Sequence, residues 1–178
     1  MPKHLEKKSE ETLYKTNWST YKHDRYVMSN GEEGDYFYSE PMPSVMIVPV
    51  LPDGKIVLVL QNRYLFDKQS IEFPAGKAKQ GQTIIEAAKA ELQEETGYTA
   101  DEIVNLGVFA YAPAEIKSLC NVYLAQVSTQ GNQMLDDTED MDVLYRRPDE
   151  IEEMIKNNEI WNGLTMAVWS LVRHHLIK

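Results

Sequence analysis

The stretch Ile71–Ala100, IEFPAGKAKQGQTIIEAAKAELQEETGYTA, constrains this chain more than any other. A strand end runs into a Pro-Ala-Gly segment and then into one strongly specified helix. Thr83 is placed to cap that helix, with Glu86 three residues on as the reciprocal capping-box partner. Ile85, Ala88 and Leu92 recur at helical spacing and predict an apolar face. Gly97 supplies a left-handed stop. Glu91, Glu94 and Glu95 fall on another face at i, i+3 and i+4. Like charges so placed repel by about 0.2–0.5 kcal/mol per pair on an exposed helix. Three converging carboxylates call for solvent or for a hard divalent cation, and an all-oxygen set suits Mg²⁺ or Mn²⁺. Pro74-Ala75-Gly76 reads as a rigid turn whose glycine lets backbone come close to a metal or a phosphate.

Several classes are excluded by composition. The 178 residues carry a formal net charge of −10, so the surface has no general attraction for nucleic acid or anionic lipid. An anionic ligand would need a metal and a few placed basic residues. No apolar run is long enough to span a bilayer and no signal-peptide pattern opens the chain, which predicts a soluble protein. The single cysteine, Cys120, excludes an intrachain disulfide and fits a reducing cytoplasm; lying in an apolar run, it reads as a small buried hydrophobe. His4, His23, His174 and His175 lack zinc spacing and read as surface or capping residues.

Along the chain, residues 1–13 are charged and predict a frayed or weakly helical start. Tyr14–Glu40 reads as β-rich, with Asn30-Gly31 marking a hairpin turn. Its aromatics, among them Trp18, Phe37 and Tyr38, suit sheet packing or a stacking platform for a nucleobase. Ser44–Val50 and Lys55–Leu60 are buried strands, and Arg63 just beyond them is placed for a surface ion pair or a phosphate contact. Strands follow at Ile103–Ala112 and Leu119–Ser128, joined by a loop with Pro113 and Glu115. Residues 129–142 form an acidic loop, Asp142–Tyr145 a last strand, and Pro148 opens a helix. A final amphipathic helix rests on Leu164, Ala167, Val168, Leu171 and Val172. Alternating buried strands with two or three helices give an α/β layered domain around a mixed sheet.

The segment from Gly76 to Tyr98 resembles the Nudix hydrolase box. Gly76, Glu91, Leu92, Glu94, Glu95 and Gly97 match its pattern, while Gln82 stands where the family has Glu and Ala90 where it has Arg. Losing both members of that pair leaves no orphaned charge. QNR before EFPAGK, GYTA after the box, Pro113 and the late acidic loop resemble the group of ADP-ribose pyrophosphatases and nucleoside-diphosphate-sugar hydrolases. The resemblance implies an α+β fold, an αβα sandwich preceded by an N-terminal β-rich region. That region would be residues 1–42, serving dimerisation and base binding, and 43–178 the hydrolase domain. It also implies a cytoplasmic homodimer with Mg²⁺ (or Mn²⁺) on the Ala75 carbonyl, Glu91 and Glu95, supported by Glu94. Arg63 and Gly76 would serve the diphosphate, Trp18 with Phe37 or Tyr38 the base, and Glu139 the attacking water, with Glu115 a rival. The family follows its proline with Gly and a small polar loop, whereas Ala114-Glu115-Ile116-Lys117 stands here, which leaves the terminal sugar open. A non-catalytic nucleotide-sugar sensor, or a hydrolase of another nucleoside diphosphate derivative, are the competing expectations.

Overall fold

A computed structural model describes residues 5–177. By backbone proximity the chain divides into two units, one running to Pro43 and adding Ala110–Leu119, the other comprising Ser44–Phe109 and Cys120 onward.

The first unit is a three-stranded antiparallel sheet, β1 (Glu6–Lys15), β2 (Ser19–Val27) and β3 (Glu33–Pro41), in the order β1-β2-β3. The charged N-terminal run is thus a strand and not a frayed or helical start; His4 lies outside the described residues. All ten residues of β1 are exposed. With no buried face, the strand is held by its ladder and by cross-strand charges such as Lys7–Asp24 at 2.8 Å and Lys22–Glu10 at 2.7 Å. Exposed pairs of this kind contribute only about 0.2–1 kcal/mol each. The hairpin turn falls at Asn30-Gly31, where Gly31 has φ +88°. Residues 110–119 lie on β3: Ser39 N–H donates to the Glu115 carbonyl, and Lys117 N–H donates to the Ser39 carbonyl. Lys117 also pairs with Glu40 at 2.7 Å.

The second unit is an αβα sandwich. Its sheet has seven strands: β4 (Ser44–Val50), β5 (Ile56–Arg63), β6 (Lys68–Glu72), β7 (Ala75–Lys77), β8 (Tyr98–Phe109), β9 (Cys120–Gln130) and β10 (Met141–Arg146). The order along the main path is β10-β5-β4-β9-β8, with β6 on β5 and β7 on β4; β4 and β9 are parallel and the other pairs antiparallel. Val45–Val48 of β4 are at most 2% exposed, the continuous apolar run expected of a strand covered on both faces. Val45 and Ile47 join Ala87, Ala88 and Leu92 of α1 (Ile84–Thr96) in one cluster. Ile85, placed on the apolar face by spacing, is 41% exposed; Ile84 and Ala87 take the contact instead. In α3 (Gly163–Leu176) the buried residues are Thr165, Val168, Trp169 and Val172, and Leu171 is exposed. The stripe is therefore rotated toward Trp169, which stacks on Phe73 with ring centroids 6.4 Å apart. Between β10 and α3 lies α2 (Pro148–Lys156), opened by the expected proline. Cys120 is fully buried at the start of β9, and His174 and His175 are exposed. Among the described residues no helix is long and apolar enough to cross a membrane.

One irregularity makes room for the site. Strands β4 and β5 pair at a single point, Val50↔Ile56, and then part. From there β4 takes β7 as partner (Met46↔Ala75, Val45↔Gly76), while β5 takes β6. Ile47 N–H donates to the Pro74 carbonyl at 2.9 Å in the fork. The segment expected to be a tight turn is therefore a short strand.

Candidate metal and hydrolysis site

The helix facing β7 is locally specified. Thr83 Oγ1 accepts the Glu86 N–H at 3.3 Å, and Glu86 Oε2 accepts the Thr83 N–H at 2.9 Å. This closes the capping box at one end, and Gly97 (φ +75°) ends the helix at the other. The caps fix the phase of the glutamate face.

Glu91 and Glu95, one turn apart, point back at the β7 segment. A Cβ on Gly76 would lie 1.9 Å from Glu91 Oε1, so the Glu91 carboxylate occupies the space any side chain at 76 would need. Gly76 has an ordinary negative-φ backbone. Its glycine is required by the carboxylate and not by a left-handed turn. Glu95 is 2% exposed, and its Oε2 accepts the Ala75 N–H at 3.0 Å. Burial, reinforced by Glu94, Glu139 and Asp136, pushes the Glu91 carboxyl up to about 7 against the pull of Lys79. Burial, with Glu91 and Glu139 adding to it, pushes Glu95 up to about 9 despite the Ala75 N–H and Arg63. Glu94 is more exposed and stands 3.8 Å from Lys79 Nζ, reaching in from the loop.

Arg63 makes a two-pronged bond to Glu72. Nε is 2.7 Å from Oε1, and Nη2 meets Oε2. Glu72 itself is 2% exposed. Of the two roles open to Arg63, the structure realises the ion pair. Glu72 was not singled out in the sequence, because in IEF it looks like the solvent-facing member of an alternating strand. Nor would hairpin register have revealed it, since Glu72 stands opposite Val59 while Arg63 stands opposite Lys68; the long guanidinium arm reaches back along the strand to meet it. At the box's two departures, Gln82 closes a turn by accepting the Lys79 N–H at 3.0 Å, and Ala90 is half-buried with no charge to partner.

The acidic loop joins this group. A tight turn holds Glu139, whose N–H donates to the Asp136 carbonyl at 2.9 Å and whose Oε2 accepts the Asp136 N–H at 3.1 Å. The charges of Asp136 and Glu139 are felt at Glu91. Gly76, Ala75, Glu91, Glu94, Glu95, Arg63 and Glu139 thus all belong to the second unit. Glu115, Trp18, Phe37 and Tyr38 belong to the first. There Glu115 and the buried Tyr38 help to line a cavity of about 280 Å³ with Tyr36, Pro113 and Lys117. Phe37 lies on the other side of the strand, half-exposed and stacked on His23 at 4.5 Å, and Trp18 is 62% exposed.

Among the described residues no three His, Cys, Asp or Glu side chains form a metal cage by themselves. The donor set is instead the half-buried Glu91 and the buried Glu95 beside backbone oxygens. Neither glutamate forms an ion pair with Lys or Arg among the described residues. Two like charges raised by burial fit a hard divalent cation, which would remove the conflict that holds both above the ordinary carboxylate range.

Known proteins resemble this chain in sequence and in fold. The NUDIX domain model matches residues 40–166. An ADP-ribose pyrophosphatase of Bacillus subtilis (strain 168) is 28% identical over 124 residues, covering 68% of this chain and 67% of that protein. A methanol dehydrogenase activator of Bacillus methanolicus is 30% identical over 145 residues, covering 80% of this chain and 78% of that protein. In fold, the crystal structure of an ADP compounds hydrolase matches with a TM-score of 0.85 at 22% identity, covering 98% of this chain and 95% of that one. With a family model across most of its length and its glutamates gathered against Gly76, the chain belongs to the Nudix hydrolase family.

Proposed function

We propose that this hydrolase is a Mg²⁺-dependent pyrophosphohydrolase that cleaves the diphosphate of ADP-ribose or a related nucleoside diphosphate sugar, giving a nucleoside monophosphate and a sugar phosphate. The observation that carries the reading is the pair of carboxylates, half-buried Glu91 and fully buried Glu95, turned toward backbone at Gly76 and Ala75. The names of the relatives, an ADP-ribose pyrophosphatase and an ADP compounds hydrolase, supply the substrate class.

In this proposal Glu91, Glu95 and the Ala75 carbonyl hold the cation, with Mn²⁺ as the alternative ion, and Glu94 supports them. The ion, when bound, neutralises the diphosphate oxygens. Arg63 adds a guanidinium beside them; Nε and Nη2 face Glu72, so Nη1 is the nitrogen assigned to a phosphate oxygen. Glu139 is assigned to orient the attacking water and take its proton, because it rides on the loop whose charge reaches Glu91 and Glu95. For the nucleobase, the exposed rings of Trp18 and Phe37 are favoured over the buried Tyr38. A cytoplasmic homodimer using residues 1–42 remains part of the proposal; the wholly exposed β1 and the exposed Leu13, Tyr14, Trp18 and Phe37 support it.

The test is a panel of ADP-ribose, ADP-glucose, GDP-mannose and diadenosine polyphosphates, with and without Mg²⁺, read by release of mononucleotide. Turnover of a nucleoside diphosphate sugar only with the metal supports the reading, and binding without turnover points to a sensor.

A further inference from the structure

The last carbonyls of an α-helix have no partner within it. At the end of α1 four consecutive ones, at Glu94, Glu95, Thr96 and the capping Gly97, are met by the segment 130–134. Met134 N–H donates to the Glu94 carbonyl at 2.8 Å, and Gly131 N–H donates to the Gly97 carbonyl at 2.8 Å. Gln130 Nε2 reaches the Thr96 carbonyl at 3.2 Å. Gln133 Nε2 reaches the Glu95 carbonyl at 2.7 Å and also donates to the Met141 carbonyl at 3.2 Å. A primary amide has two N–H donors, and both are spent here. One side chain thus spans from Met141, where β10 begins, to the backbone of a proposed metal ligand.

We propose that Gln133 is a positioning residue, holding the loop that carries Asp136 and Glu139 in register with Glu91 and Glu95. The inference deepens the reading above and rests on it for the roles of those carboxylates. Between the anchors at Met134 and Met141 the loop has its own Asp136–Glu139 turn, a compact unit that can shift as a body. Fixing both ends with one amide removes that freedom. Its worth lies in alignment: a misplacement of about 1 Å can cost about 100-fold in rate.

The variant Gln133→Met keeps the length and loses both donors. In the metal-free protein, amide hydrogen exchange across 131–140 should accelerate about tenfold while amides of 84–92 keep their protection. With Mg²⁺ and a substrate found in the panel, kcat should fall about 10- to 100-fold while KM moves less than about threefold. Unchanged exchange in the loop overturns the proposal. So does equal acceleration throughout α1, which would make Gln133 a general structural prop, and so does a loss confined to KM. If the wild type turns over no diphosphate, the functional reading fails on its own, and the exchange comparison still decides whether Gln133 orders the loop.

Discussion

The carboxylate of Glu91 fills the place of a missing side chain at Gly76, with 1.9 Å between Oε1 and the position a Cβ would take. The clash is with the far end of a flexible side chain, so Gly76→Ala would displace the carboxylate and leave the backbone in place. The protein should fold with a melting temperature close to wild type. Its affinity for Mg²⁺ should drop, and its turnover should fall about 100-fold or more. Calorimetric titration with Mg²⁺ beside a thermal melt checks both halves.

Glu95→Gln replaces a buried carboxylate by its neutral isostere. Because burial already disfavours the charged form, the variant should be at least as stable as wild type above neutral pH. Its kcat should nonetheless fall by about two orders of magnitude or more, since the assigned metal contact is gone. Near-unchanged turnover in purified, folded protein would rule out the role.

The same two glutamates set a pH dependence. Both have folded-state values raised from 4.5, Glu91 to about 7 and Glu95 to about 9. The folded state therefore binds more protons than the unfolded chain between those limits, and the contribution of these groups to stability falls as pH rises through that window. A cation competes with those protons. The rise in melting temperature on adding Mg²⁺ should be larger near about pH 8.5 than near about pH 6. Melts at both pH values, with and without the ion, measure this directly.

For the general base, Glu139→Gln and Glu115→Gln are to be compared under saturating Mg²⁺. Glu139 acts on Glu91 and Glu95 through its charge, whereas Glu115 lines a cavity of the first unit. The expectation is a kcat loss of about 100-fold or more for Glu139→Gln and a small change for Glu115→Gln. The reverse ranking would transfer the role.

Gly97→Ala should be costly for a different reason. Its φ is +75°, and a Cβ there would stand 2.4 Å from the Gly131 carbonyl oxygen, which is backbone and cannot swing aside. The left-handed conformation alone costs about 1–2 kcal/mol for an alanine. Denaturant unfolding should show at least that loss.

What could be read in advance was whatever is local. Thr83, Glu86 and Gly97 specify a helix within their own span, and the glutamate face follows from its phase. The role of Gly76 was half legible: its need for closeness was evident, but the approaching group is Glu91, a contact made between helix α1 and strand β7. The strand β1 was missed because it buries nothing, so its sequence carries no alternating signal and its partners are charges on other strands. Gln133 carried no signal either, since a polar residue in an acidic loop says nothing of two carbonyls, one of them on a helix 38 residues back. Ile85 and Leu171 erred through phase, each lying beside the buried residue that the neighbouring layer selected.

The lone thiol, Cys120, sits at zero exposure where β9 begins, and burial raises its pKa. A sulfhydryl reagent offered to the native molecule therefore finds no nucleophile within reach. Colour develops only as fast as the middle strands of the sheet let go, and the protein carries a clock for its own opening that needs no added label.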